Sequence, residues 1–327
     1  MATKILLRLD LNVPMRGSRI ADDYKLRLSL PTIKDLLKKK AALIIVTHLG
    51  EPKPGQKISV KPLADWLSKK LHQRIPILKN VKKNYLLKSG DIIMLENIRE
   101  FKGEITNDKT FAKKFASLAD IYINDAFAVS HRNHVSVSAV TNFLPSFAGP
   151  RLKQEIIHLD RVKHGRKPFI LIMGGAKVST KLPLLKKLSK KANFILVGGD
   201  FLNNINKIKI KNVIKPVDVI KSKGKIVDIG PKTVKLYSQY IKKAKTIMWN
   251  GAMGIFEKGF SKGTKAMGAD LAKAAKRGAY VVVGGGETAE SASGQIQNFS
   301  WVSTGGGAAL AYLAGEKLPG LKNILKK

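Results

Sequence analysis

Along the chain, short apolar runs alternate with longer stretches in which apolar residues recur every three or four positions. The runs are KILLRL (4–9), ALIIVT (42–47), DIIML (91–95), DIYIN (120–124), FILIM (169–173), FILVG (194–198), TIMWN (246–250) and AYVVVG (279–284). They are rich in β-branched residues and carry no solvent-facing polar alternation, the pattern of strands buried on both faces. The stretches between them predict amphipathic helices over 31–40, 59–73, 108–118, 180–191, 232–244 and 266–277. Strands alternating with helices build βαβ units, and such units build parallel sheets. The predicted fold class is therefore α/β. GPRLKQEIIHLDRVKHG (149–165), bounded by glycines, reads as a long connecting helix or as one more surface helix.

At 327 residues the chain suits two domains of about 150 residues better than one core. It has no cysteine, which excludes disulfides and thiolate metal sites and fits a reducing compartment. MATKILLRLDLNVP lacks the long apolar centre of a secretion signal, and no run approaches the roughly 18 apolar residues of a membrane span. The expectation is a soluble, cytoplasmic protein without a membrane partner.

Charge changes the picture most. The formal net charge is +37, from 60 basic side chains (49 Lys, 11 Arg) against 23 acidic ones. The excess is +15 over residues 1–165 and +22 over the remainder, so it is not confined to a tail. Many lysines fall on polar helix faces, as in KDLLKKK (34–40) and KLPLLKKLSKK (181–191). That reads as a solvated surface, with attraction to anionic metabolites or nucleic acid as the sharper alternative. Aromatic residues do not interleave with the basic runs, so no stacking platform for single strands is visible.

In open parallel sheets, ligands gather beyond the carboxyl ends of the strands. In the second half, glycines stand at such ends in GGAKVSTK (174–181), GGDF (198–201), WNGAMG (249–254), GGGETAE (284–290) and STGGGAAL (303–310). Glycine admits close backbone approach, and a helix N-terminus offers free N–H groups to an anion. One such turn is weak evidence. Five together point to a nucleotide or phosphate site, although neither a Walker A sequence nor GxGxxG follows a strand. The first half places polar groups at its strand ends instead. Arg8, Asp10 and Asn12 alternate on RLDLN, His48 follows the second run, Arg99 the third, and HRNH (131–134) the fourth. These would converge on one small anion. The HxxH pair has no third ligand at metal-binding spacing.

The order RLDLNVP, LPTI, THLGEP, LENIRE, NDAF…HRNH, GGAKVSTK, DIGPKT, WNGAMGIFE, GGGE, STGGGAAL…LPG closely resembles the phosphoglycerate kinase family, almost from end to end. The resemblance implies two Rossmann-like parallel-sheet domains joined by a long helix with a cleft between them. By it, residues 1–149 would bind phosphoglycerate, 150–165 would form the interdomain helix, 166–312 would bind nucleotide, and 313–327 would return to the first domain. It implies reversible phosphoryl transfer from 1,3-bisphosphoglycerate to Mg-ADP, giving 3-phosphoglycerate and ATP, by a monomer. Asp10, Asn12, Lys25, His48, Arg99 and Arg132 would bind the phosphoglycerate. Gly174, Gly175, Lys177, Lys181, Gly198, Gly199, Asn250, Glu257, Gly286, Glu287 and Thr288 would line the nucleotide site, with Glu257 on the ribose and Glu287 near Mg2+. Lys181, Lys25 and the amides of Gly305, Gly306 and Gly307 would face the phosphate in flight.

The chain departs from the family pattern in places. Lys25 and Glu51 stand where the family has arginines, Thr180 and Glu287 where it has aspartates, Ala252 for a proline and Trp301 for a histidine. Lysine keeps the charge of arginine and loses its planar fork, with Arg27 nearby as a possible substitute. Glu51 would repel phosphoglycerate if it faces the site, and would only weaken steering if it faces away. Residues 202–227 are several tens of residues shorter than usual, with KPVDVI keeping one strand, so a sheet face is expected to lie exposed. Two rival readings follow: a family member that binds nucleotide but transfers phosphate poorly, and a basic protein that holds nucleic acid non-specifically on this scaffold.

Overall fold

The computed structural model describes residues 2–53, 55–81, 85–176, 178–286, 288 and 294–324. By internal contacts the chain divides into two compact units, Met1–Glu155 with Lys317–Lys327, and Ile156–Glu316. No helix among the described residues is long and apolar enough to cross a membrane.

The first unit is built on six strands, β1 (Lys4–Leu9), β4 (Ala42–Val46), β5 (Ile77–Leu78), β6 (Ile92–Leu95), β7 (Ile121–Asp125) and β8 (Ser146–Ala148). They pair in parallel in the order β5-β6-β4-β1-β7-β8. Two short strands, β2 (Met15–Arg16) and β3 (Arg19–Ile20), form a separate antiparallel pair. Helices α1 (Tyr24–Lys38), α2 (Lys61–Leu71) and α3 (Lys109–Ala116) complete the unit, and α4 (Pro150–Lys163) begins in it. Because strand side chains alternate, successive residues serve different cores. Ile5, Leu7, Leu9, Leu43 and Ile45 pack with Leu26, Ile33, Leu63 and Leu67 of α1 and α2. Leu6, Ile44 and Val46 pack on the opposite side with Ala112 and Phe115 of α3. Helix α1 starts seven residues before the predicted 31–40 and carries Pro31 inside it. Burial of Leu26 and Ser29 outweighs the stop signal of the proline, and this places Lys25 in the first helical turn.

The second unit has β9 (Phe169–Met173), β10 (Phe194–Val197), β11 (Val213–Ile214), β14 (Thr246–Asn250), β15 (Tyr280–Gly284) and β16 (Trp301–Ser303). Their parallel order, β11-β10-β9-β14-β15-β16, is the 3-2-1-4-5-6 order of Rossmann sheets. Helices α5 (Val178–Leu188), α6 (Pro231–Lys243), α7 (Lys262–Lys276) and α8 (Gly306–Leu313) are its long helices. Ile170, Ile172, Ile247, Trp249, Val281 and Val283 form one core with Tyr237 and Ile241 of α6 and Met267 and Leu271 of α7.

The shortened segment bears on two expectations. Strand β12 (Val219–Ser222), which takes in the end of KPVDVI, pairs only with β13 (Lys225–Ile229), outside the main sheet. The sheet face is also covered. Leu202 from a 3-10 turn at Gly199–Lys207 and Ile229 from β13 enter the core beside Tyr237, whose hydroxyl donates to the carbonyls of Val197 and Ile214. Apolar exposure in this segment is limited to Val217 and Ile220.

Two strand-end sites and the family they define

In the first unit the loops after β1, β4, β6 and β7 bring the predicted polar residues together. Arg8 and His48 are almost wholly buried. The Arg8 guanidinium donates from Nη1 to the Leu9 carbonyl and lies with Nη2 3.2 Å from His48 Nδ1. Asn12 Oδ1 accepts the Gly50 amide at 2.8 Å, which ties the first loop to the second. The second loop is tied to the third by buried Asn97, whose Nδ2 donates to the carbonyls of Leu49 and Ile58, and by Arg99, which donates to the Gly50 carbonyl at 2.6 Å. Arg132 Nε is buried with no hydrogen-bond partner among the described residues. Such an orphan donor is costly unless an anion completes it.

The cations press on one another. Burial first, then Arg8, Arg99, Lys25 and Arg132, hold the His48 imidazole well below its ordinary range. The His134 ring is pushed down to about 4, again by burial first and then by Arg132, Arg99 and Arg8. Burial and Arg132 also lower Arg99, although Glu51 opposes them.

Two departures take definite form here. Lys25 Nζ pairs with Asp10 Oδ2 at 2.8 Å, so its charge is already partnered, and Arg27 pairs with Asp23 on the surface of α1. Arg27 therefore does not stand in for the missing fork. Glu51 turns toward the cluster: its Oε1 lies 3.2 Å from Arg132 Nη2 and 3.4 Å from Arg99 Nη1, while the side chain is 73% exposed. Sequence reading missed Glu104 and Ser136, which lie under Arg8. Nothing local marks them, because only the folded loops bring them there.

In the second unit the glycines serve the backbone as much as any ligand. The Gly174 amide donates to the Asn250 carbonyl at 2.9 Å, Gly175 to Ala252 at 2.7 Å, and Gly199 to Met253 at 2.7 Å. The loops after β9, β10 and β14 thus cross backbone to backbone, at the point where the strand order reverses. A Cβ on Gly174 would overlap the Ala252 carbonyl. Lys181, in α5, reaches back with Nζ to the Gly174 carbonyl at 2.8 Å. Asn250 Nδ2 donates to the Gly284 carbonyl, and Thr288 Oγ1 accepts the Gly251 amide. Gly198 abuts Met253, and Glu257 is exposed in a 3-10 turn at Phe256–Lys258. Gly286 and Gly307 face open space, where backbone can meet a ligand.

One expected donor is otherwise engaged. The Gly305 amide donates to Ser303 Oγ at 3.2 Å because Gly305 caps α8 from outside the helix. Gly306 and Gly307 open α8, so their amides lack intrahelical partners. Trp301 stacks on His158 at 4.0 Å, at the amino end of β16 and away from the glycine triplet. Lys177 and Glu287 lie outside the described residues.

The phosphoglycerate kinase family model matches residues 1–215 and 200–316. The chain belongs to the phosphoglycerate kinase family. The phosphoglycerate kinase of Dictyoglomus turgidum is 37% identical over 381 aligned positions, covering 99% of this chain and 96% of that protein. That of Thermosipho africanus is 36% identical over 383 positions, covering 99% and 95%. Both alignments exceed 327 residues, so family members carry several tens of residues that this chain lacks. Among solved structures, the phosphoglycerate kinase of Pyrococcus horikoshii matches with TM-score 0.87 at 28% identity, and that of Coxiella burnetii with 0.82 at 33%. Each match covers 99% of this chain and 96% of the other.

Proposed function

We propose that this chain transfers the acyl phosphate of 1,3-bisphosphoglycerate to ADP, reversibly, giving 3-phosphoglycerate and ATP. A terminal oxygen of ADP attacks the phosphorus, the bond from phosphorus to the acyl oxygen breaks, and 3-phosphoglycerate leaves as its carboxylate. The observation that carries this reading is the first unit's cluster of three arginines, Arg8, Arg99 and Arg132, around the neutral His48, with an Arg132 donor that has no partner among the described residues. Such a cluster suits a small, multiply charged anion and not a planar base. His48, Arg99 and Arg132 take the non-transferred phosphate, with Asn12 and the Asp10–Lys25 pair near the glyceryl group. Lys181 and the amides of Gly306 and Gly307 take the transferring phosphoryl group, whose chemistry asks for positioning and donors more than covalent help. Gly174, Gly175, Gly198, Gly199, Asn250, Gly286 and Thr288 shape the nucleotide's bed, and Glu257 takes its ribose.

Magnesium, when bound, would neutralise charge on the nucleotide phosphates. Glu287, expected beside the ion, lies outside the described residues, and among the described ones no three metal-ligating side chains cluster.

The test is initial rates with 1,3-bisphosphoglycerate and Mg-ADP for the purified protein and for Lys181→Ala. Loss of one such electrostatic donor should cost about 10²–10³ in kcat. Turnover unaffected by the substitution would remove Lys181 from the reaction. Absence of turnover in the parent, with ADP still bound, would leave only a nucleotide-binding protein.

A further inference from the structure

Glu104 is buried beneath the cation cluster, where no ligand reaches it in the reading above. It accepts the Ser136 amide at 2.8 Å and the Ser136 hydroxyl at 2.6 Å. With its proton committed to Glu104, Ser136 Oγ is left as an acceptor, and Arg8 Nε donates to it at 3.1 Å. That bond, with the one to the Leu9 carbonyl, fixes the guanidinium so that Nη2 meets His48 Nδ1. A guanidinium has donors and no acceptor, so the contact is attractive only when Nδ1 is bare. The other ring nitrogen, Nε2, has no hydrogen-bond partner among the described residues and is not among the sealed, unpartnered atoms.

We propose that Glu104 and Ser136 are positioning residues that, through Arg8, hold His48 as the neutral tautomer with its proton on Nε2, a donor offered to phosphoglycerate. This rests on the substrate assigned above. The charged groups facing His48 agree with it: Arg8, Lys25, Arg99 and Arg132 all oppose a second proton on the ring. The nearby carboxylates are engaged elsewhere, Asp10 with Lys25, Glu51 with Arg99 and Arg132, and Glu104 with Ser136. His48 thus supplies direction to the bound anion while the arginines supply charge, and its contribution is constant across neutral pH.

The experiment is long-range proton–nitrogen correlation on the nitrogen-15-labelled full chain without ligand, across the neutral range, with His48→Gln to assign the ring. The expected spectrum shows a bare Nδ1 and a protonated Nε2 throughout. Ser136→Ala should mix in the other tautomer or the imidazolium, and raise KM for 3-phosphoglycerate about three- to tenfold, the range of one hydrogen bond, with little change in kcat. Ser136→Thr, which keeps the hydroxyl, should restore the parent spectrum. A proton on Nδ1 in the parent overturns the proposal, as does a Ser136→Ala spectrum unchanged at His48. The parent spectrum depends neither on a variant folding nor on turnover, so it fails separately from the substrate assignment. If Nδ1 is bare but 3-phosphoglycerate leaves Nε2 unmoved, the donor role falls.

Discussion

Glu51 is a carboxylate of the protein's own lying against Arg99 and Arg132. A substrate phosphate approaching those guanidinium groups must displace it or accept its repulsion. Glu51→Gln should therefore lower KM for 3-phosphoglycerate, by up to about fivefold given what exposed ion pairs contribute. The value of kcat should stay nearly constant, since the contact is made in ground and transition states alike. An unchanged KM would mean that Glu51 swings clear at no cost. The same cluster sets a pH dependence of stability. His48 and His134 stay neutral in the fold well below the 6.5 at which they take protons when unfolded. Below that pH the unfolded chain binds more protons, so stability falls on acidification, by about 1.4 kcal/mol per pH unit for each ring at most. Glu104, Asp125 and Asp228, raised chiefly by burial, have the opposite sign: between their raised folded values and their ordinary ones the fold binds more protons, which offsets part of that fall. The urea midpoint should drop between about pH 7 and pH 5, and His134→Gln should flatten that drop. A profile that His134→Gln leaves unchanged would mean that the folded His134 ring does take a proton.

The sheets were legible because their strands are buried on both faces, and each strand of four or more residues in the two six-stranded sheets matches a predicted run to within a residue or two. Strands of two or three residues, such as Ile77–Leu78 and Val213–Ile214, have no run to read and exist because a neighbouring strand end is free to pair. One missed element did have a local signal. The turn of the β12–β13 hairpin has positive φ at both Lys223 and Gly224, as a type I′ turn requires, and Ser-Lys-Gly-Lys between two apolar stretches could have suggested it. The basic site residues were visible as strand-end residues, whereas Ser136 and Glu104 become partners of Arg8 only through the fold. The glycines were visible, but part of their reason was not. Gly251 has φ +94°, and a Cβ there would strike the Gly174 carbonyl, so this residue holds two loops together. Gly251→Ala should destabilise the protein by about 2 kcal/mol or more, measured by urea unfolding. Gly224→Ala, also at positive φ but in open space, serves as control and should cost about 1–2 kcal/mol from backbone conformation alone. Equal losses would show that loop crossing adds nothing to the strain.

At the scale of the molecule, +37 is spread over both halves, and the half with the glycine loops has the larger excess. Few of these lysines have acidic partners, since 23 carboxylates cannot neutralise 60 cations. The net charge of both halves is positive, and every proposed substrate is an anion. At low salt that charge should draw substrate inward from beyond contact range, but above about 0.1 M the screening length shrinks to roughly 10 Å and the distant lysines drop out. Steering of this kind raises association rates and leaves the bound complex untouched. Raising potassium acetate from about 20 mM to about 300 mM should therefore lower kcat/KM for both substrates about tenfold, within the range of electrostatic steering, while kcat changes little. Long duplex DNA should inhibit at low salt regardless of sequence and lose that effect over the same range, because phosphate neutralisation is itself salt-dependent. A comparison at equal ionic strength separates the field from occupancy of the cation cluster. Sulfate, a doubly charged tetrahedral anion like phosphate, should raise KM for 3-phosphoglycerate beyond the acetate effect, and Glu51→Gln should sharpen that competition. If kcat/KM stays level from low to high salt, the lysines do not steer, and the charge is a property of the solvated surface alone.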